Sequence, residues 1–434
     1  MLIAAVLLAG IVVFIVRWVR DGGKWATFYG NTQIYTDGRL NRGTISDRYG
    51  NVLLNCTESG VEYNGNATIR KATVHAVGDP DGNIPSGAIN AFKSELIGYD
   101  LVNGTYDTSS EGKEIKLTID SQACATAYNA LGGRTGTVGV FNWKTGEVLC
   151  MVSTPAFDPA GSLPDAESSY YFNNFLNGAY TPGSTFKLVT SAAVIDTISD
   201  RDSFSYDCDG ENEFSGVDFT DVSEHGTVDF RSALAKSCNG AFGELTRRVG
   251  SDTMKKYVKK AGLTSSIEIN GIETAAGSFD FPNDNDVTLS WAGIGQADDL
   301  VNPCAMMVYM GSIANGGEAV RPTLIKSATF IKELTGGRSL GRYLNSSTAD
   351  ELKSMMKNNV ETNYGEGNFP GLDLYAKSGT AEVGSRSDAW FVGFIDNEDN
   401  PYAFVVWVEG GGFGSETAAP IARAVLNQLI SDGA

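Results

Sequence analysis

The stretch "NGAYTPGSTFKLVTSAAVI" (residues 177–195) sets Ser184 and Lys187 three positions apart, after a Pro182-Gly183 turn and at the head of a run of helix formers. Residues i and i+3 share a helix face, so the amine can reach the hydroxyl. The turn puts Ser184 at the helix N-terminus, where free N–H groups and the dipole favour developing negative charge. Phe186, Leu188, Val189, Ala192 and Ala193 would strip water from Lys187 and lower its pKa, leaving a neutral amine to serve as base. Taken alone, the stretch also reads as a serine-capped helix with an exposed lysine. The Ser-x-x-Lys pattern recurs at Ser110–Lys113, in a Gly-containing linker, and at Ser354–Lys357, within the lysine-bearing "ELKSMMKNN".

Two more segments separate the first occurrence of chemistry from coincidence. "AKSCNGAF" (235–242) holds a Ser-x-Asn, with Ser237 as a second hydroxyl to pass a proton and Asn239 as an amide to hold a peptide. "LYAKSGTAEVG" (374–384) places Lys377, Ser378, Gly379 and Thr380 beside aromatic-rich strands. Gly379 lets a substrate backbone approach, and Lys377 with the Ser378 and Thr380 hydroxyls can hold a carboxylate. The N–H groups of Ser184 and Thr380 can form an oxyanion hole. A second Lys-Thr-Gly, Lys144-Thr145-Gly146, precedes the serine and reads as a hairpin turn.

Composition narrows the chemistry. The chain has 434 residues, 42% hydrophobic, with 33 basic and 52 acidic residues and a formal charge of −19. That balance argues against a nucleic-acid partner, and the length predicts more than one domain. The only two histidines, His75 and His225, read as structural. The six cysteines form no CxxC pair, so no zinc site, metal or cofactor is expected. Cys208 and Cys238 are the first pair to test for a disulfide; free buried thiols are the alternative.

The opening "MLIAAVLLAGIVVFIV" is uncharged, with Arg17 and Arg20 behind it. Continued to residue 19, it makes about 28 Å of helix, close to a bilayer core of about 30 Å. We expect residues 1–20 to be a single uncleaved anchor rather than a signal peptide, with the remainder outside the cytoplasm, although no basic residue precedes the apolar run. Residues 21–112, rich in Gly, Asn, Asp and Thr, read as a small, mostly β segment ending in a polar linker at 101–112. From 113 to 434 the pattern is denser. Strands are predicted at "KEIKLTI" and on both sides of the "NWKTG" turn, and again at "DAWFVGFID" and "PYAFVVWVEG". Helices are predicted at "DSQACATAYNAL", capped by Asp120 or Ser121, and over 184–197, 229–248, 302–315 and 347–359. A final helix, "TAAPIARAVLNQLI", carries Pro420 in its first turn after a Gly-rich loop at 410–414. Strands at both ends with helices between predict an α+β domain whose sheet joins distant sequence.

In the order "PGSTFK", "SCN", "KSGTAE", the three segments resemble the active-site motifs of penicillin-binding proteins. The likeness extends to "RGTISDRYGNVLL" (42–54), "TGEVLCMVSTPAFDP" (145–159) and "GIGQADDLVNPCAMMVYMGSIANGG" (293–317), and is nearest to monofunctional, class B members of the short type. Nothing resembles a glycosyltransferase domain. The resemblance implies an antiparallel sheet with helices on both sides, a small N-terminal pedestal, and a peptidoglycan D,D-transpeptidase inhibited by β-lactams. Ser184 is then the nucleophile, Lys187 its base and Ser237 the proton relay. Asn239 holds substrate amides, while Lys377, Ser378 and Thr380 take the terminal carboxylate. It also implies stem peptides as substrate and a polytopic glycosyltransferase as partner. A D,D-carboxypeptidase or β-lactamase of the same class, or a non-catalytic β-lactam sensor or scaffold, are the alternatives.

Overall fold

The computed structural model describes residues 2–107, 111–214, 217–326 and 338–433, with side chains left aside over 212–218. Ser110, of the first Ser-x-x-Lys, and part of the predicted linker lie outside the described residues. Contacts divide the chain into two compact units, one of residues 1–117 and 156–171, the other of 118–155 and 172–434. Residues 113–117 and 156–171 thus group with the N-terminal segment, where the sequence reading ran one domain unbroken from 113.

In the first unit, helix Leu2–Ala26 is long and apolar enough to cross a membrane. A four-stranded sheet follows, ordered Gly60–Tyr63, Val52–Thr57, Gly43–Ser46, Glu114–Lys116, its last pair parallel. Helix Ala67–Val77 occupies a stretch that the weak periodicity had assigned to strands and turns; Asn66 caps it by accepting from the Thr68 and Ile69 N–H groups. Val74, Ile84, Phe157 and Tyr171 form an apolar cluster, and Arg70 makes a two-point ion pair with Asp158, which ties 156–171 to this unit.

The second unit is built on a five-stranded antiparallel sheet, ordered Leu374–Val383, Arg386–Ile395, Tyr402–Val408, Gly136–Asn142, Val148–Thr154. The sheet joins both ends of the unit, as the pattern of strands predicted. Its central strands are buried on both faces and read as continuous apolar runs. Helices Ser121–Leu131 and Gly414–Gly433 pack together, as do Pro303–Ala314 and Ser346–Asn359. Asp120 caps the first of these. Lys144-Thr145-Gly146 is the predicted hairpin turn, with Gly146 at φ +81° and the Asn142 side chain accepting from the Lys144 and Thr145 N–H groups.

Three helix expectations are corrected. The predicted 184–197 helix begins with a 3-10 turn, Gly183–Thr185, so Lys187 rather than Ser184 opens the α-helix Lys187–Thr197. The predicted 229–248 helix is two, Phe230–Lys236 and Asn239–Val249, broken where Ser237 turns left-handed at φ +59°. The final helix starts early, at Gly414, leaving Pro420 inside it rather than in its first turn.

Candidate active site

The three motifs lie on three kinds of local structure that meet at one point. Gly183, at φ +53°, forms the turn that carries Ser184; a Cβ there would stand 2.5 Å from the Thr380 carbonyl oxygen. On the opposite side, a Cβ on Gly295 would collide with the Gly183 carbonyl oxygen. Only glycine permits this double approach, which clamps the Ser184 turn between the edge strand and the loop after helix Asp286–Gly293. The Trp390 indole N–H donates to Thr181 O at 2.9 Å and fixes the approach from beneath.

Ser184 is half-buried, and its hydroxyl has no hydrogen-bond partner among the described residues. Lys187 is fully buried. Its Nζ donates to Ser237 O at 2.5 Å and to Asn239 Oδ1 at 2.8 Å, with Ser237 Oγ at 3.3 Å. A neutral amine has two N–H groups and one lone pair, so those two acceptors engage both hydrogens and leave the lone pair for a hydroxyl proton. Burial pulls Lys187 down to about 8, against the opposing pull of Asp221 and Cys238. The Phe242 ring centroid, 5.5 Å from Nζ, is part of that dry surrounding.

Ser237 links the lysines. Lys377 Nζ donates to Ser237 Oγ at 2.9 Å and to Ser378 O at 2.9 Å. Lys377 too is fully buried; burial first, then the neighbouring Lys187, hold it well below the usual lysine range. The left-handed conformation of Ser237 costs about 1–2 kcal/mol for a non-glycine residue. It is held by the Ser237 N–H donating to Leu234 O at 3.2 Å and the Cys238 N–H to Ala233 O at 2.9 Å. The strained turn aims Ser237 Oγ and Asn239 at the lysines from successive helices.

The third motif lies in strand Leu374–Val383, which is paired on one side only. Within a strand, a residue's N–H and C=O point to the same side. The Thr380 carbonyl faces the Ser184 turn, so the Thr380 N–H faces that side as well. Ser378 and Thr380 are half-buried, with side chains on one face of the strand, while Lys377 and Gly379 are buried.

Two positioning residues escaped the sequence reading. Asp221 accepts from the Asn239 N–H at 2.6 Å and the Gly240 N–H at 3.1 Å, a carboxylate at the start of helix Asn239–Val249. Tyr364 accepts the Ser378 N–H at 2.8 Å and donates to Ser378 Oγ at 3.0 Å. Neither "FTDVSEHG" nor "VETNYGEG" carries a distinguishing pattern; only the fold brings them to the motifs. Hydrogen bonds link Lys187, Ser237, Asn239, Lys377 and Ser378, and the turn carrying Ser184 lies against Gly379 and Thr380. The third Ser-x-x-Lys is elsewhere, with Lys357 ion-paired to Glu366 and Asp373 at 3.0 Å each. His75 is buried in the first unit, its Nε2 at 2.9 Å from Tyr170 O.

Serine, lysine, second serine and an edge strand, arranged in this way, define a serine acyltransferase of the penicillin-recognising class. Residues 136–427 match the family model of the penicillin binding protein transpeptidase domain, and the chain belongs to that family as a class B penicillin-binding protein. The peptidoglycan D,D-transpeptidase PbpA of Mycolicibacterium smegmatis is 28% identical over 392 residues, covering 80% of this chain and 78% of the relative. Stage V sporulation protein D of Bacillus subtilis is 26% identical over 360 residues, covering 75% of this chain and 55% of the relative. Among solved structures, the imipenem acyl-enzyme complex of penicillin-binding protein A from Mycobacterium tuberculosis superposes with a TM-score of 0.76 at 24% identity, covering 90% of this chain and 98% of that one. Pseudomonas aeruginosa PBP2 in complex with WCK 5153 superposes at 0.75 and 25%, covering 90% and 96%.

Proposed function

We propose that this chain is a membrane-anchored serine D,D-transpeptidase of peptidoglycan, with Ser184 as nucleophile and Lys187 as its base. The observation that carries the reading is the convergence of two fully buried lysines on Ser237 Oγ, one of them three residues after a Ser184 whose hydroxyl has no partner among the described residues. An extended stem peptide adds to the free edge of strand Leu374–Val383, as peptides add to sheet edges elsewhere. Ser184 Oγ attacks the penultimate D-Ala carbonyl, and its proton passes to the Lys187 lone pair. The N–H groups of Ser184 and Thr380 hold the oxyanion. Ser237, hydrogen-bonded to both amines, hands the proton to the departing D-Ala. An amine of a second stem then takes the acyl group.

Asn239 serves two tasks, orienting Lys187 through Oδ1 and presenting its amide to substrate. The terminal carboxylate is received by the Ser378 and Thr380 hydroxyls. Lys377, whose Nζ is engaged with Ser237 Oγ and Ser378 O, acts there by holding those two residues. We further assign 1–20 as anchor, the rest of the first unit as pedestal and the second unit as transpeptidase domain, with the catalytic part outside the cytoplasm and a polytopic glycosyltransferase as partner. These assignments rest on family resemblance and on the apolar helix Leu2–Ala26.

The deciding experiment is intact-mass and peptide mass spectrometry of the full chain after incubation with labelled penicillin. One long-lived adduct is expected, on the peptide containing Ser184, and none in Ser184→Ala. Rapid loss of the adduct would instead make the protein a β-lactamase. Restoration of growth by Ser184→Ala in a depleted strain would end the catalytic reading.

A further inference from the structure

Among the described residues no large hydrophobic side chain is more exposed than Val102, at 83%, and Leu101 beside it is exposed as well. Both lie in the stretch that the sequence marks as a polar linker, far from any catalytic group in the chain order. In water such a tip loses free energy; a lipid surface would take it up.

The loop that carries the tip is built rather than loose. The Asp100 N–H donates to Thr105 O at 2.7 Å, and the Gly104 N–H to Asp100 O at 2.8 Å. The Asp100 carboxylate accepts from the Val102 N–H at 2.8 Å, the Asn103 N–H at 3.2 Å and the Asn103 side-chain amide at 2.7 Å. The N–H groups of Val102, Asn103 and Gly104 are thus satisfied inside the loop, as a backbone leaving water requires.

The same loop is seated on the apolar helix Leu2–Ala26. The Trp18 indole N–H donates to the Tyr99 hydroxyl at 3.2 Å. A Cβ on Gly22 would stand 2.6 Å from that hydroxyl oxygen, and one on Gly23 would stand 2.9 Å from Ser94 Cβ, so two glycines let the helix end close against residues 94–99. Gly104, at φ +66°, lies over the Trp18 ring, where a Cβ would be 3.7 Å from Cζ2. The tip therefore stands level with Trp18. At about 1.5 Å per residue, residues 2–21 make about 30 Å of helix, the thickness of a bilayer core of about 30 Å. Trp18 then falls within one turn of the core's edge, the depth at which indoles gather.

We infer that the loop Asp100–Thr105 is a second membrane contact, with Leu101 and Val102 set into the lipid interface at the level of Trp18. The inference rests on the reading of helix Leu2–Ala26 as the anchor. Lipid is the occupant because the tip is continuous with the exposed apolar flank of that helix. Two side chains are also far short of the roughly 1,000 Å² that a stable protein interface buries. A helix alone would leave the first unit free to tilt against the membrane plane; a contact set off the helix axis fixes that tilt.

The test uses the full chain in nanodiscs of phosphatidylcholine and phosphatidylglycerol, whose two faces are both open to solutes. All six native cysteines are free and buried. A polarity-sensitive fluorophore can therefore be placed on Val102→Cys and, for comparison, on Glu398→Cys, at an exposed residue of the second unit. The label at 102 is expected to emit further to the blue, to be quenched by spin-labelled lipid, and to be several-fold less open to aqueous iodide than the label at 398. Equal access at the two positions, with the chain still held by the disc, overturns the inference and leaves the anchor standing. Shielding from iodide without quenching by spin-labelled lipid marks a protein contact and overturns it as well. A chain that does not stay with the disc sinks the anchor and the second contact together. Penicillin labelling of Ser184 is read separately and bears on neither.

Discussion

At the scale of single residues, the site works by denying water to two amines. Lys187, pulled down to about 8 by burial, is a base only when neutral. Acylation by penicillin is therefore expected to rise with pH through about 8 and to fall ten-fold per unit below it, measured as the second-order rate of adduct formation. The same shift bears on stability. The folded amine releases its proton near 8 and the unfolded one near its ordinary 10.5, so Lys187 lowers stability below 8, and that penalty fades as pH rises through this window. Lys187→Ala should slow acylation by about 10²–10⁴. Tyr364→Phe leaves the half-buried Ser378 N–H without its acceptor, at about 1 kcal/mol. It is expected to lower Tm and to raise KM for a stem-peptide analogue more than it lowers kcat. Gly183→Ala sets a methyl against the Thr380 carbonyl in a left-handed turn, and should destabilise the fold and nearly abolish adduct formation. The nearness in space of the three motifs was legible because the chemistry proposed for them asks for these residue types in a fixed chain order. Asp221 and Tyr364 were not, since a carboxylate at a helix start and a phenol under a strand are common anywhere.

Among elements, the difference between expectation and structure lies at breaks. Residues 229–248 have the composition of one helix, and no glycine or proline marks position 237. Ser237 turns left-handed because the backbone hydrogen bonds to Ala233 and Leu234, with those its carbonyl and hydroxyl accept from the two lysines, offset the local cost. Ser237→Gly would relieve the backbone yet remove the group shared by both lysines. Thermal unfolding close to wild type, with acylation by penicillin strongly reduced, is expected. The edge strand was foreseen only in part: "LYAKSGTAEVG" mixes charged and small residues, and its place beside Arg386–Ile395 depends on a register no local pattern encodes. The helix Ala67–Val77 escaped notice because its buried face includes Thr73 and His75, which blur the apolar period.

For the whole molecule, helix Leu2–Ala26 is long and apolar enough to hold it in a membrane. The full chain is expected in the membrane fraction, and a chain beginning at residue 27 in the aqueous phase of a detergent partition. The return of residues 156–171 to the first unit was not legible in the sequence, because Phe157 and Tyr171 look like ordinary core residues there. The sheet that carries the third motif is wound from both ends of its unit, and this bears on the protein's birth. A nascent chain that has emerged as far as helix Ser346–Asn359 already contains Ser184 and Lys187, but not the strand that shuts them in. On such a chain the amine is expected to stay hydrated and protonated, so an antibiotic should label only polypeptides whose last strands have been delivered, a difference that penicillin labelling of stalled and released chains would read.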